Sequence, residues 1–182
     1  MPKIRLLIQD LNRNVVGTEG LARGRASVLK VIFTARFISV LLFRLSQEIG
    51  RVSPILAGMV KQLNQFMTGS DLAFQSQVGE GLILYHPNGV VIGPHCVLGA
   101  NCSIQQGVTI GGSGVPGEGQ ETSPTIGDDV RIGAGAKILG PISVGDRCQI
   151  GANAVVTKSG GHGMIAVGVP AVWKQPSHEV RE

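Results

Sequence analysis

Four histidines and three cysteines are the side chains with the widest choice of chemistry in this 182-residue chain. A neutral imidazole near pH 7 can take a proton from a hydroxyl group, so each histidine is a candidate base. His86 has the most informative position. It falls where a regular repeat slips by two residues, and a side chain there can face a groove. Zinc catalysis needs about three convergent histidines. His86 and His95 could lie near each other, but His162 and His178 sit in or near terminal segments, which argues against a metal. Cys96, Cys102 and Cys148 are odd in number and lack CxxC spacing, which argues against a disulfide scaffold or a zinc knuckle. They read as small buried residues in a reducing compartment, so a cytoplasmic location is expected.

The slip at His86 is defined by the repeat around it. Val78, Leu84 and Val90 are six residues apart, and the spacing returns at Ile92, Leu98, Ile104 and Ile110. It resumes from Ile126 through Ile132, Ile138, Val144 and Ile150 to Val156, and glycine follows eight of these residues. A period of six matches neither a helix nor an alternating strand. It matches a coil of three short strands, one hexapeptide on each face of a triangular prism. The branched residue points inward and stacks on its equivalent one coil later. A total of 27 glycines with only 4% aromatics suits a fold of tight, repeated corners. Collagen is excluded, because glycine does not recur every third residue. Ile110 and Ile126 are sixteen positions apart, and the stretch between them holds GGSGVPGEGQETSP and reads as a solvent-facing loop thrown out of a prism corner.

Ahead of the repeat, residues 1–67 read as helical. IRLLIQDL places Ile4, Leu7 and Ile8 at helical spacing before a polar break at Asp10 and Asn12. A second helix is expected over about 26–48, with Ser27 as its cap and Phe33, Phe37, Leu41 and Leu45 as an apolar stripe. Ser53-Pro54 opens a third, which Gly69 stops. The stretch 28–43 is apolar, but Lys30 and Arg36 interrupt it and it is shorter than the roughly 20 apolar residues of a membrane span. A buried or oligomeric helix is expected there, with peripheral membrane contact as the alternative. Net charge is +4, with the basic residues mostly in this arm. There is no basic cluster with aromatic platforms, so nucleic acid is not an expected partner; anionic ligands are. The expected organisation is a helical arm over 1–70, a β-helix over 71–172 with an extended loop at 111–125, and a tail over 173–182.

Five motifs follow in order: GEGLILYHPNGVVIG, NCSIQQGVTIGG, IGDDVRIGAGAKILGPISVGD, IGANAVV and VGVPA. With them the chain resembles, from Ile4 to Pro170, the serine O-acetyltransferase family of hexapeptide acyltransferases and their relatives in surface-polysaccharide biosynthesis. The resemblance implies a left-handed parallel β-helix that moves an acetyl group from acetyl-CoA to a hydroxyl. It places the general base at His86. It implies a carboxylate at Asp71, in SDLAFQSQVG, that orients the imidazole or holds the acceptor. Gly111, Gly112, Ala134, Gly135 and Ala136 would line the pantetheine arm, with Lys137 and Lys158 toward the CoA phosphates. No metal is implied. The expected assembly is a homotrimer with active sites between subunits, the arm capping trimers or joining two of them.

Three positions depart from the family pattern. Tyr85 stands where an aspartate precedes the base, and Thr122 and Ser123, before Pro124, stand where an arginine and a histidine close the loop. Without those charges a zwitterionic amino acid lacks its counter-ions. The expected acceptor is therefore a sugar or surface-polysaccharide precursor. Serine, as in cysteine biosynthesis, is the alternative and would need Arg131 or His95 to hold its carboxylate. A non-catalytic scaffold is the reading outside enzymology.

Overall fold

The computed structural model describes residues 3–19, 25–112 and 122–176. Four helices come first: α1 (Lys3–Glu19), α2 (Arg25–Ile32), α3 (Ala35–Ile49) and α4 (Pro54–Thr68). The rest is a left-handed parallel β-helix of very short strands. Sheet A is β1 (Asp71–Leu72), β4 (Val91–Ile92), β7 (Thr109–Gly111), β10 (Lys137–Leu139) and β13 (Val155–Val156). Sheet B is β2 (Gln77–Val78), β5 (Val97–Leu98), β8 (Thr125–Ile126) and β11 (Ser143–Val144). Sheet C is β3 (Ile83–Leu84), β6 (Ser103–Ile104), β9 (Arg131–Ile132), β12 (Gln149–Ile150), β14 (Ile165–Val167) and the antiparallel β15 (Val172–Lys174).

The six-residue period becomes three inward columns. Leu72, Ile92, Ile110, Ile138 and Val156 are in register on sheet A; Val78, Leu98, Ile126 and Val144 on sheet B; Leu84, Ile104, Ile132, Ile150 and Ala166 on sheet C. All belong to one buried core. Burying each aliphatic side chain contributes about 1.5–3 kcal/mol. A second inward position lies two residues earlier, and it holds Cys96, Cys102 and Cys148, all fully buried and unpaired. Burial pushes the Cys96 and Cys102 thiols up to about 11. Corners turn through left-handed backbone, taken by Gly107 and Gly135 (φ 68° and 71°) and also by Asn101, Asp129 and Asn153. Asn and Asp tolerate that region better than other residues with a Cβ.

Strand N–H groups donate to the coil that follows, as in Gln77 to Cys96 (2.9 Å) and Ile83 to Cys102 (3.0 Å). Carbonyls of the first coil therefore have no coil beneath them, and the arm supplies the donors. Arg44 donates to the Val78 and Gly79 carbonyls (2.7 and 2.6 Å), Gln47 to Ser76 (2.8 Å), Asn14 to Leu82 (3.0 Å) and Arg13 to Gly81. Arg44 also pairs with the wholly buried Asp10 at 2.8 Å, and Asp10 accepts the Leu82 N–H (2.9 Å). The arm is thus the end cap that a stacked repeat needs. At the other end β15 covers the edge of sheet C, and the Trp173 indole N–H donates to the Lys158 carbonyl (2.9 Å).

The arm differs from its expected form in three ways. The polar residues Asp10 and Asn12 do not break the first helix, which continues to Glu19 because Asp10 and Asn14 are its docking face. The helix expected over 26–48 is two, since Thr34 caps α3 by accepting the Phe37 N–H (3.3 Å) while its hydroxyl donates to the Val31 carbonyl (2.6 Å). The Phe33 to Leu45 stripe does not face inward as a unit. Phe37 is buried, but Phe33 is 78% and Leu45 46% exposed. The inward face of α3 is Phe37, Val40, Phe43, Arg44 and Gln47. The side chain of Ser27, the middle of the extended loop, His178 and the end of the tail lie outside the described residues. α4 begins after Ser53 and stops at Gly69 (φ 75°) as its punctuation predicts, and it leaves Ile55, Met59 and Phe66 exposed. No described helix is long and apolar enough to cross a membrane.

Candidate active site

His86 owes its position to an enlarged corner. Successive inward residues are six apart through the regular coils, but Leu84 and Ile92 are eight apart. The two extra residues lie between sheets C and A. The Tyr85 N–H is fixed to the Ile104 carbonyl (2.9 Å), Pro87 is buried, and Val90 donates back to Pro87 (3.1 Å). Tyr85 and His86 are exposed between these anchors. No described side chain hydrogen-bonds to the imidazole, which leaves its nitrogens open to an incoming group. His95 occupies the corner at the opposite end of β4, with φ 65°, so the two histidines are not neighbours on one corner. His162 pairs with Arg147 and Asp146 in a later coil. Among the described residues no group of three metal-ligating side chains occurs.

Asp71 opens β1 on sheet A, in register with Val91, and so lies on the face that His86 adjoins. Its carboxylate receives Lys61 Nζ from α4 at 2.5 Å. Gly111 ends β7 with open space where a Cβ would project, so a thin ligand can approach the backbone there. A Cβ on Gly112 would come within 3.1 Å of the Thr122 hydroxyl. Thr122 and Ser123 are nearly buried, and the Ser123 hydroxyl donates to the Pro94 carbonyl (3.3 Å). They pack the root of the loop and present no charge. Ala134 and Gly135 form the sheet C to A corner one coil above Gln106 and Gly107, and Lys137 Nζ donates to the Gly107 carbonyl (2.5 Å). Ala136 points into the core and is fully buried, so only its backbone could meet a ligand. Lys158 is exposed beyond β13.

Two arginines from the arm join this region, and sequence reasoning did not find them. Arg13 of α1 donates to the Cys102 carbonyl (3.1 Å) and to Ser103 Oγ (3.2 Å). Arg36 of α3 lies 4.9 Å above the centre of the Tyr85 ring and donates to Asn14 Oδ1 (2.8 Å). A recess of about 530 Å³ on the outer face of sheet C runs from Tyr85 and Arg13 past Ser103, Gln105 and Arg131 to Gln149. Nothing in the sequence pairs residue 13 with residue 103; only docking of α1 on the first coil does so.

Parts of the chain match models of known families. Residues 123–158 match the bacterial transferase hexapeptide (six repeats), and residues 89–112 match the hexapeptide repeat of succinyl-transferase. A serine acetyltransferase of Mycobacterium tuberculosis is 42% identical over 120 residues, which are 66% of this chain and 52% of that protein. The chain therefore spans about half the length of that relative. A soybean serine acetyltransferase complexed with serine superposes with a TM-score of 0.85 at 30% identity, over 96% of this chain and 70% of that one. A serine acetyltransferase in complex with CoA superposes with a TM-score of 0.83 at 27% identity, over 95% and 70%.

Proposed function

Because the chain belongs to the hexapeptide-repeat acyltransferase family, we propose that it transfers an acetyl group from acetyl-CoA to a hydroxyl, with His86 as general base. The observation that carries this reading is the exposed imidazole on the enlarged corner between sheets C and A, in a fold shared with a CoA-bound enzyme. The acceptor hydroxyl donates its proton to the neutral imidazole as its oxygen attacks the thioester carbonyl carbon. The tetrahedral intermediate collapses, the carbon–sulfur bond breaks, and the CoA thiolate takes the proton from the imidazolium. Backbone near Gly111, with Ala134 and Gly135, is assigned to the pantetheine arm, and Lys137 and Lys158 to the phosphates. Asp71 is assigned a positioning role, because Lys61 already engages its carboxylate.

His86 stands on a convex corner, and a second wall would come from a neighbouring protomer. The reading therefore includes a homotrimer with sites between subunits, and the exposed face of α4 is the surface by which trimers would pair.

L-serine is the first acceptor under this reading, because the proteins it resembles are serine acetyltransferases, one of them bound to serine. This reverses the preference for a sugar drawn from the missing charges alone. A sugar hydroxyl is kept as the second reading on one observation: Thr122 and Ser123 are packed against Gly112 and Pro94, where an arginine and a histidine would have closed the site. The test is CoA release from acetyl-CoA with L-serine, free hexoses and nucleotide-linked hexoses, comparing the native chain with His86→Ala. Saturable turnover that drops roughly 10²–10⁴-fold in the variant supports the reading. Undiminished turnover in the variant removes His86 from the chemistry.

A further inference from the structure

Three of the described cations near the prism are paired with a carboxylate: Arg44 with Asp10, Lys61 with Asp71 and Arg51 with Glu48. Arg13 and Arg131 are not, and both line the recess on sheet C. They meet at Ser103. Arg13 donates to its hydroxyl, and Arg131 is its in-register partner on β9. Among the described residues no Asp or Glu lines the recess, and its other polar walls are neutral: Tyr85, Ser103, Gln105 and Gln149. Arg36 adds a third guanidinium behind the Tyr85 ring. Burial is the main cause that lowers the pKa of Arg13 and Arg36. Tyr85 opposes it at both, joined at Arg13 by Asp129 and Cys102, and the smallest contribution is the like charge of Arg131 on Arg13 and of Arg13 on Arg36, which lowers them further. Like charges held together in this way are relieved by an anion between them.

We propose that this recess receives an oxyanion, a carboxylate or a phosphate, carried by the acceptor whose hydroxyl is presented to His86. The assignment rests on His86 being the base, and on Tyr85 linking the two places: its ring borders the recess and the next residue along the chain is His86. Arg131 is the anion's main partner, because Arg13 already holds the Gly81 and Cys102 carbonyls. An amino acid offers a carboxylate to this site, and a sugar phosphate or nucleotide-linked sugar offers a phosphate. A neutral alcohol leaves it empty. The absence of charge at Thr122 and Ser123 is then compensated from the opposite side of the site, by the arm and sheet C.

The experiment uses the full chain and Arg131→Gln, an exposed outward position whose loss leaves the core intact. Two acceptor pairs are compared in the CoA-release assay: L-serine with L-serinamide, and glucose 1-phosphate with glucose. Equilibrium dialysis of labelled L-serine and glucose 1-phosphate provides a readout that needs no turnover. The expected result is a roughly ten- to hundred-fold rise in KM or Kd for the oxyanion-bearing member of the pair that is used. KM for acetyl-CoA stays unchanged, and the member without the oxyanion shows no comparable loss. The pair that responds tells carboxylate from phosphate. Saturable binding that Arg131→Gln abolishes, with no acetyl transfer to any acceptor, supports the anion site while overturning the transferase reading. Equal parameters for the members with and without the oxyanion, or equal binding by native chain and variant, overturn the site.

Discussion

Replacing Arg44 with methionine removes the donor on which the joint between arm and prism depends. Arg44 reaches both oxygens of Asp10 (2.8 and 3.3 Å), Gln47 Oε1 (3.2 Å) and the carbonyls of Val78 and Gly79. Its side chain is 4% exposed and that of Asp10 is wholly buried. In the variant the Asp10 carboxylate stays buried with the Leu82 N–H as its remaining partner, and two carbonyls lose their donor. Breaking one side of a buried pair costs about 3–5 kcal/mol. The exposed Arg51–Glu48 pair, at 3.6 Å, is the control, and Arg51→Met should cost no more than about 1 kcal/mol. The assay is urea unfolding followed by circular dichroism at one fixed protomer concentration, because association contributes to apparent stability. Asp10→Leu with Arg44→Met should recover part of the loss. Recovery stays incomplete, because the Leu82 N–H and the first-coil carbonyls remain without partners. A loss in Arg44→Met no larger than in Arg51→Met would refute the end-cap argument.

Three other outcomes follow from the same geometry. Ile138→Ala, in the middle of the sheet A column, should cost about 2–5 kcal/mol and Ile138→Val about 0.5–1.5 kcal/mol, read as denaturation midpoints at constant slope. Gly99→Ala should be more damaging than Gly107→Ala. A Cβ at Gly99 would lie 2.7 Å from the Gly127 carbonyl carbon, whereas Gly107, though at φ 68°, would meet its neighbour at an ordinary 3.6 Å and cost about 1 kcal/mol in backbone terms. Cys96 and Cys102 should resist iodoacetamide at pH 8.5 until the chain unfolds. Their raised pKa keeps the native state protonated while the unfolded thiols ionise, so this contribution is fully present below the ordinary thiol pKa. It is lost as pH rises through it to about 11, at about 1.4 kcal/mol per unit per thiol, and Cys102→Ala should flatten that slope.

The repeat was legible because each hexapeptide's inward residue is set by a local rule, one apolar side chain per prism face. The register of Ile92, Ile110 and Ile138 could therefore be read without coordinates, as could the punctuation of α4 by Ser53, Pro54 and Gly69. His86 was visible for the same reason, as the residue where the rule skips. The arm was less legible. Asp10 and Asn12 look like a break in any reading based on hydropathy, but Asp10 is buried by a partner 34 positions away, and Thr34 divides a helix that an apolar stripe had joined. The sequence alone determined the prism, its core and its exceptional corner, since these repeat locally. Only the tertiary structure decided which polar side chains close the open end of the first coil and which cations gather beside Tyr85. Those partnerships join residues as far apart as Arg13 and Ser103, and no spacing along the chain encodes a contact made by docking one element on another.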